Sequence, residues 1–433
     1  MGIADNKINE YLDKICSLIK NKDVHNDIRL ELKDHIETLK EEGLASGLSE
    51  EDALDKAITH MGDAELIGKQ LNKSHRARLD LVILIPTLFL CFFGLISMYF
   101  IQANGAADAG FNEIFQRSLV SYSIGTILMI GLFLFDYRKL LAFSKYIYIG
   151  NIFILVYMLF FGTFINGNLF LSIGSISIDF VEISPIFIII SLAGIFQSWN
   201  WASLGKYILG LVLMALPAFF ILVHNSLSTT IIYSVSCLIL MIASKAGIFK
   251  VILPVAGSVF FGYLSTLTEP YRIKRLLFFL DPYQDPKGMG WIYIQIKNAL
   301  NSAGFLGKGI ASAPKTIPSL QSDYIFTYFT YTFGWFAAIV LLLLISLFLI
   351  RMIRVSQFVK NSYGKLLVKG IASILCAQFI LSITTSLGIS PFFGVSMPFM
   401  SFGGSQIIVN MMSAGLILSI YRRKALIAAA DAI

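Results

Sequence analysis

"QSDYIFTYFTYTFGWFAAIVLLLLISLFLI" runs from Gln321 to Ile350. From residue 325 onward it holds no charged side chain, and its apolar residues do not alternate with polar ones. A bilayer's hydrocarbon core, about 30 Å thick, takes roughly 20 such residues as a helix. Backbone groups cannot stay unpaired in lipid, so a span is either a helix or part of a closed barrel. A continuous apolar run, unlike an alternating one, specifies the helix. This stretch crosses a membrane.

Nine further runs have the same character, at about 80–101, 118–135, 146–165, 183–197, 207–223, 228–244, 249–267, 366–386 and 403–421. The composition agrees: 433 residues, 56% hydrophobic and 14% charged, with a mean hydropathy of +0.74. The expected fold class is therefore all-α, a polytopic membrane protein with about ten transmembrane helices plus a small soluble N-terminal helical domain. The membrane part is expected over 80–425. Its first run starts near residue 80 and is too long for a cleavable signal peptide. Cys91, Cys237 and Cys376 fall inside apolar runs and Cys16 in the polar head, which suits packing and not a disulfide framework.

The head, residues 1–75, is written for water. Residues 1–78 carry 12 Lys and Arg against 16 Asp and Glu, a net of −4, while the remainder is net +11. Ile8, Leu12, Ile15 and Ile19 recur at helical spacing, and "VHNDIRLELKDHIETLKEEG" repeats the pattern up to Gly43. Ser49 followed by Asp52 marks a helix start, and Gly62 its end. Three or four short helices follow, with no phosphate loop and no metal spacing. The head reads as an interaction or sensing module.

Basic residues orient the spans. With the head in the cytoplasm, the inner loops receive Arg138, Lys139, Lys145, Lys206, Lys245, Lys250, Arg351, Arg354, Lys360 and Lys365, followed by the tail "YRRK". Both termini then lie inside. The long loop at 268–324 falls on the extracytoplasmic side, together with most acids of the membrane part, Asp108, Asp179, Glu182 and Asp323 among them.

That loop carries the unusual chemistry. "RIKR" sets Arg272, Lys274 and Arg275 near the membrane surface, where cations attract phosphate and guanidinium can clamp it. "SAGFLGKGI" places Lys308 among glycines that let the backbone approach an anion. Asp323 stands where the loop re-enters lipid; partial burial there raises a carboxyl's pKa toward the range useful to a general base. Glu182, in "SIDFVEISP", is a second acid at the membrane edge. Each has a simpler alternative: a snorkelling cation, or an acid favoured by a helix N-terminus. The five histidines show no zinc spacing, and His224–Asn225 read as turn residues. Nucleic-acid binding is excluded because the cations are tied to membrane boundaries.

With these residues in place, "RIKRLLFFLDPYQDPKGMGWIYIQIKNALNSAGFLGKG", "QSDYIF" and "MPFMSFGGSQIIVNMMSAGLILSI" resemble the SEDS family, typified by FtsW, RodA and SpoVE. Those are ten-helix membrane glycosyltransferases that polymerise lipid II into peptidoglycan. The resemblance covers 80–425 and leaves out the head. It implies that Asp323 is catalytic and that Arg272, Lys274, Arg275, Lys308, Glu182, Ser401 and Ser405 bind substrate. It implies no cofactor and leaves a divalent metal open. It also implies a class B penicillin-binding transpeptidase as partner and a place in the bacterial cytoplasmic membrane. The chain departs from the family's pattern at Leu169-Phe170-Leu171, at Pro185 in place of a lysine, at "HNSLST" (224–229) and at Tyr331-Thr332. Two other readings use the same residues: a catalytically silent scaffold, and a flippase or transporter of lipid-linked sugars.

Overall fold

Each of the ten apolar runs forms a helix, the one expected over 146–165 only as far as Phe161, since Thr163–Ile165 is a strand. The computed structural model describes residues 3–19, 25–74, 79–108, 113–165, 168–174, 176–267 and 270–424. The runs become α5 (Leu81–Ala103), α6 (Ile114–Leu134), α7 (Lys139–Phe161), α8 (Phe180–Phe196), α9 (Leu204–Val223), α10 (Leu227–Ala243), α11 (Ile248–Leu267), α14 (Ile325–Phe358), α15 (Ser362–Ser386) and α16 (Gly404–Arg422). Seven are long and apolar enough to cross a membrane, and α8, α10 and α11 are shorter apolar helices. The protein is a multi-pass membrane protein.

Ahead of them stand α1 (Ile3–Leu18), α2 (His25–Ala45), α3 (Glu50–Met61) and α4 (Ala64–Ser74). These helices, with Phe358–Asn361 and residues 421–424, make one compact unit; Asp80–Gln357 and Ser362–Ile420 make another. In the first unit Ile8 and Leu12 pack with Ile36, Leu54 and Ala57, and Ile15 and Ile19 with Ile28 and Ala64. Ser49 caps α3 by accepting from the Asp52 N–H at 3.2 Å, and Gly62 ends it at φ 94°. The expected stop at Gly43 is corrected: α2 runs on to Ala45. Gly43 is there for packing, since a Cβ would come within 2.9 Å of the Ala53 Cβ.

In the second unit α15 and α16 are mostly buried, whereas α6, α7 and α9 turn most of their apolar surface outward. Exposed Ile127, Phe153 and Phe219 would be misplaced in water but suit lipid. α15 packs against α8 and α10, with Gly370 so close to Ile189 that a Cβ would clash. Small residues at such crossings let helices approach without a hydrophobic drive.

Alternation of direction brings the described parts of five connections, those after α5, α7, α9, α11 and α15, to one end of the bundle. Two of them hold more structure than the sequence reading gave. The first is a three-stranded antiparallel sheet, β1 (Thr163–Ile165), β2 (Asn168–Ile173) and β3 (Ile176–Ile178). Its register pairs Ile165 with Asn168 and Ile173 with Ile176. The second is the stretch read as one long loop, which contains α12 (Pro270–Leu280), a 3-10 turn at Pro282–Gln284 and α13 (Trp291–Ala303).

Candidate active site

A cavity of about 1390 Å³ opens at that end of the bundle. Asp323, Glu182, Arg272, Arg275 and Ser405 all line it, joined by Asp108. Of the residues singled out in the sequence, Lys274, Lys308 and Ser401 are not in its walls.

Asp323 is fixed through its backbone. Ser319, at φ 51°, offers its carbonyl to the N–H groups of Ser322 and Asp323 at 3.1 and 3.0 Å. The Ser386 hydroxyl, at the end of α15, donates to the Asp323 carbonyl at 3.0 Å. The Ser401 hydroxyl donates to the Ser322 carbonyl at 2.6 Å and accepts from the Met397 N–H at 2.8 Å. Ser401 is buried with its hydrogen bonds in use, so it positions the segment and does not face the cavity. The Phe402 N–H adds a bond to the Gln321 carbonyl at 2.7 Å. Asp108 accepts from the Ser319 N–H at 3.0 Å and the Gln321 amide at 2.8 Å.

The Asp323 carboxyl itself is left to the cavity. Burial pushes its pKa up to about 7; the charge of Asp108 adds to the rise and Arg275 opposes it. A carboxyl poised near neutrality can take a proton from a hydroxyl and later return it. Asp179, the N-cap of α8, is pushed up to about 6 by burial, against the Glu182 N–H bond at 3.0 Å that favours its anion. Glu182 sits in the first turn of α8, three residues from Asp179, and lines the same cavity as Asp323.

Arg275 stands beside these acids. Its Nη1 donates to the Phe392 carbonyl at 2.9 Å, and its guanidinium lies 4.7 Å from the centre of the Phe392 ring. Tyr324 stacks on that ring at 5.6 Å, and Tyr293 Oη accepts from the Phe392 N–H at 3.1 Å. Burial lowers the guanidinium's pKa, with Tyr293, Tyr324 and Asp323 raising it; arginine stays charged regardless. Arg272 shares the cavity-facing side of α12 because it lies three residues from Arg275, and its Nη2 is 3.5 Å from Asn225 Oδ1. Lys274 falls on another side of the same helix and is exposed, as the helical period requires.

The glycine-rich stretch has a different use from the one its composition suggested. α14 is broken at Gly334, whose φ of 82° and ψ of 172° are non-helical. The stretch docks there: Lys308 and Gly309 donate to the Tyr331 and Thr332 carbonyls at 2.9 and 3.0 Å, and Trp335 and Phe336 donate to the Gly304 and Phe305 carbonyls at 3.1 and 3.2 Å. Gly307, also at positive φ, leaves no room for a Cβ beside the Thr332 carbonyl. The glycines let two backbones meet, and the Lys308 residue is exposed.

Some of the wall went unread in the sequence. His224, taken for a turn residue, is buried and lines the cavity. Gln378, in α15, and Gln406, in the first turn of α16, also line it. A glutamine inside an apolar span was the available signal. Among the described residues no three His, Cys, Asp or Glu converge as a metal site.

The family model described as "Cell cycle protein", FTSW_RODA_SPOVE, matches residues 77–426. The chain belongs to the FtsW/RodA/SpoVE family. It is 30% identical over 362 residues to Stage V sporulation protein E of Bacillus subtilis (strain 168), covering 79% of this chain and 97% of that one. It is 27% identical to the peptidoglycan glycosyltransferase MrdB of Escherichia coli (strain K12), over 82% and 97% of the two chains. The same fold occurs in a chain solved for the structural coordination of polymerization and crosslinking by a peptidoglycan synthase complex, with a TM-score of 0.69 at 20% identity, covering 80% of this chain and 98% of that one. It occurs again in the rod shape determining protein RodA of Thermus thermophilus, at 0.61 and 17%, covering 81% and 99%. The FtsW/RodA/SpoVE match takes in the whole membrane unit and leaves α1–α4 outside.

Proposed function

We propose that the protein is a peptidoglycan glycosyltransferase that polymerises lipid II, the undecaprenyl-diphosphate-linked disaccharide pentapeptide, with Asp323 as its general base. The observation that carries this reading is the meeting of Asp323, Glu182 and Arg275 in one cavity at one end of a membrane bundle, together with relatives named for that activity.

In the reaction Asp323 takes the proton of the acceptor sugar's hydroxyl. The oxygen attacks the donor's anomeric carbon, and the bond from that carbon to the diphosphate oxygen breaks. Arg275 and Arg272 stabilise the negative charge that collects on the departing diphosphate. Glu182 and Ser405 hold the sugars, while Lys274 and Lys308, outside the cavity, meet lipid headgroups at its rim. The cavity faces away from the cytoplasm of a bacterial cell, with both termini inside, as the distribution of Lys and Arg supports. A class B penicillin-binding transpeptidase is the partner that would cross-link the product. The α1–α4 domain at 1–75 is a cytoplasmic interaction module.

The test is polymerisation of purified lipid II by the full chain, with Asp323→Asn beside it. The parent makes glycan chains and the variant, equally well folded, is slower by about 10²–10⁴-fold, the usual worth of a general base. A variant as fast as the parent removes Asp323 from the mechanism. A parent that makes no glycan, alone or with a transpeptidase, leaves the scaffold reading standing.

A further inference from the structure

Asp108 takes no part in the proton transfer, yet it is bonded to the turn that carries Asp323. It reaches that turn from the connection after α5. There the helix ends in a glycine cap: the Gly105 N–H donates to the Gln102 carbonyl and the Ala106 N–H to the Ile101 carbonyl, both at 3.0 Å, with Gly105 at φ 60°. From this cap the chain meets the 310–323 stretch. Asn104 Nδ2 donates to the Ile310 carbonyl at 2.8 Å. Asp108 accepts from the Ser319 N–H at 3.2 Å on Oδ1 and 3.0 Å on Oδ2, and from the Gln321 amide at 2.8 Å.

These bonds land where Asp323 is held. The Ser319 carbonyl takes the N–H groups of Ser322, Asp323 and Tyr324 at 3.1, 3.0 and 3.4 Å. Ser319 does so at a φ of 51°, which a residue with a side chain adopts rarely. A carboxylate on its N–H keeps it there, since hydrogen bonds to an ionised acceptor are the strong ones.

A carboxylate also brings charge. Like charges disfavour each other's ionisation, and Asp108 adds to the rise that burial gives the Asp323 pKa, with Arg275 opposing it. Other charged or titratable groups line the same cavity: Arg117 of α6, Asp179 and Glu182 at the start of α8, His224 at the end of α9, and Arg272 and Arg275 of α12. Tyr293 and Tyr324 act on Arg275. Asp108 combines a charge with bonds to the turn itself.

We propose that Asp108 is a positioning residue for the transfer, fixing where Asp323 sits through Ser319 and Gln321 and keeping a like charge near it. The charge makes Asp323 a stronger base than burial alone would. The kinetic consequence rests on the polymerase reading, but the link between the two acids can be measured without turnover.

Asp108→Asn separates charge from position. The asparagine oxygen can still accept from the Ser319 N–H. Its amide can donate to Gln321 Oε1, which is buried without a partner, once the Gln321 amide turns over. Gln321→Ala does the converse, removing a bond and no charge. The carbonyl band of the protonated Asp323 carboxyl is followed against pH by infrared difference spectroscopy on the full chain in nanodiscs, subtracting the matching Asp323→Asn protein. Lipid II polymerisation is measured over the same pH range, and a thermal melt accompanies each variant. In Asp108→Asn the Asp323 midpoint and the acid limb of the rate should both move to lower pH by about one unit, as loss of a like charge requires. In Gln321→Ala both should stay at the parent's pH while the plateau rate falls about threefold or more through misplacement of the base. A folded Asp108→Asn protein with the parent's midpoint overturns the proposal, and so does a folded Gln321→Ala protein with the parent's plateau rate. Glycan synthesis with an unmoved midpoint refutes Asp108 alone. A moved midpoint in a protein whose parent makes no glycan supports the link between the acids and refutes the polymerase reading alone.

Discussion

The membrane unit has an acid and an arginine at each end, and the two ends are built differently. At one, Asp80 is 3% exposed; its Oδ1 accepts from the Val82 N–H at 3.1 Å to cap α5, and its Oδ2 meets Arg351 Nε at 2.8 Å. The pair ties α5 to α14. At the other, Asp323 has its backbone pinned by Ser386 and Ser319, while its carboxyl faces a cavity and is held near 7. Arg275 is close enough to oppose that rise but spends its Nη1 on the Phe392 carbonyl. The first acid is spent on structure, whereas a cavity-facing acid with a raised pKa is available for chemistry.

Exchanging the two acids one at a time sharpens the contrast. Asp323→Asn should cut lipid II polymerisation by about 10²–10⁴-fold while leaving the melting temperature near the parent's. Asp80→Ala should do the reverse. It removes a carboxylate partner of Arg351 and a helix cap, for a loss of about 1–3 kcal/mol seen as a lower melting temperature. Activity per folded molecule should stay within about twofold of the parent. If Asp80→Ala slowed the folded enzyme as much as Asp323→Asn, the division of labour between the ends would be wrong.

The glycine clip gives a smaller effect. Gly334→Ala places a side chain at φ 82° and against the Phe305 carbonyl, so a loss of about 1–3 kcal/mol in stability is expected. Because α14 follows Asp323 directly, activity should fall with it. Lys308→Ala should change neither stability nor polymerisation by more than about twofold, since the residue stands outside the cavity; a tenfold loss would return the glycine stretch to the anion site that its composition suggested.

Much of this was legible beforehand, and the reason differs from residue to residue. The ten helices could be read because lipid imposes one demand on every span, a long uncharged run. Asp323 and Arg275 could be read because acids and guanidinium at a membrane edge are costly and rarely idle. The segregation of Arg272 and Arg275 from Lys274 needed only the knowledge that 270–280 is a helix, and the expectation of a single loop hid it. Gly304, Gly307 and Gly309 were misread because glycine near lysine looks alike whether the backbone approaches an anion or another backbone. Their partner, the break at Gly334, is distant in sequence. Ser401 showed the same ambiguity, a hydroxyl in a motif that turns inward to hold Ser322. Gln406 became visible only when folding brought α16 and the 319–323 segment around one cavity, and Asp108, read as one outer acid among several, was placed in its wall by the same packing.

The pH dependence of single-turnover lipid II polymerisation, measured on the parent and on Asp323→Asn between about pH 5 and pH 9, bears most directly on Asp323. A base must be ionised to act, so the parent's rate should rise tenfold per pH unit on the acid side and level off near 7. The residual rate of Asp323→Asn should lack that rise. A parent rate that is flat across neutrality, or an Asn variant that keeps the same acid limb, would contradict the role given to Asp323.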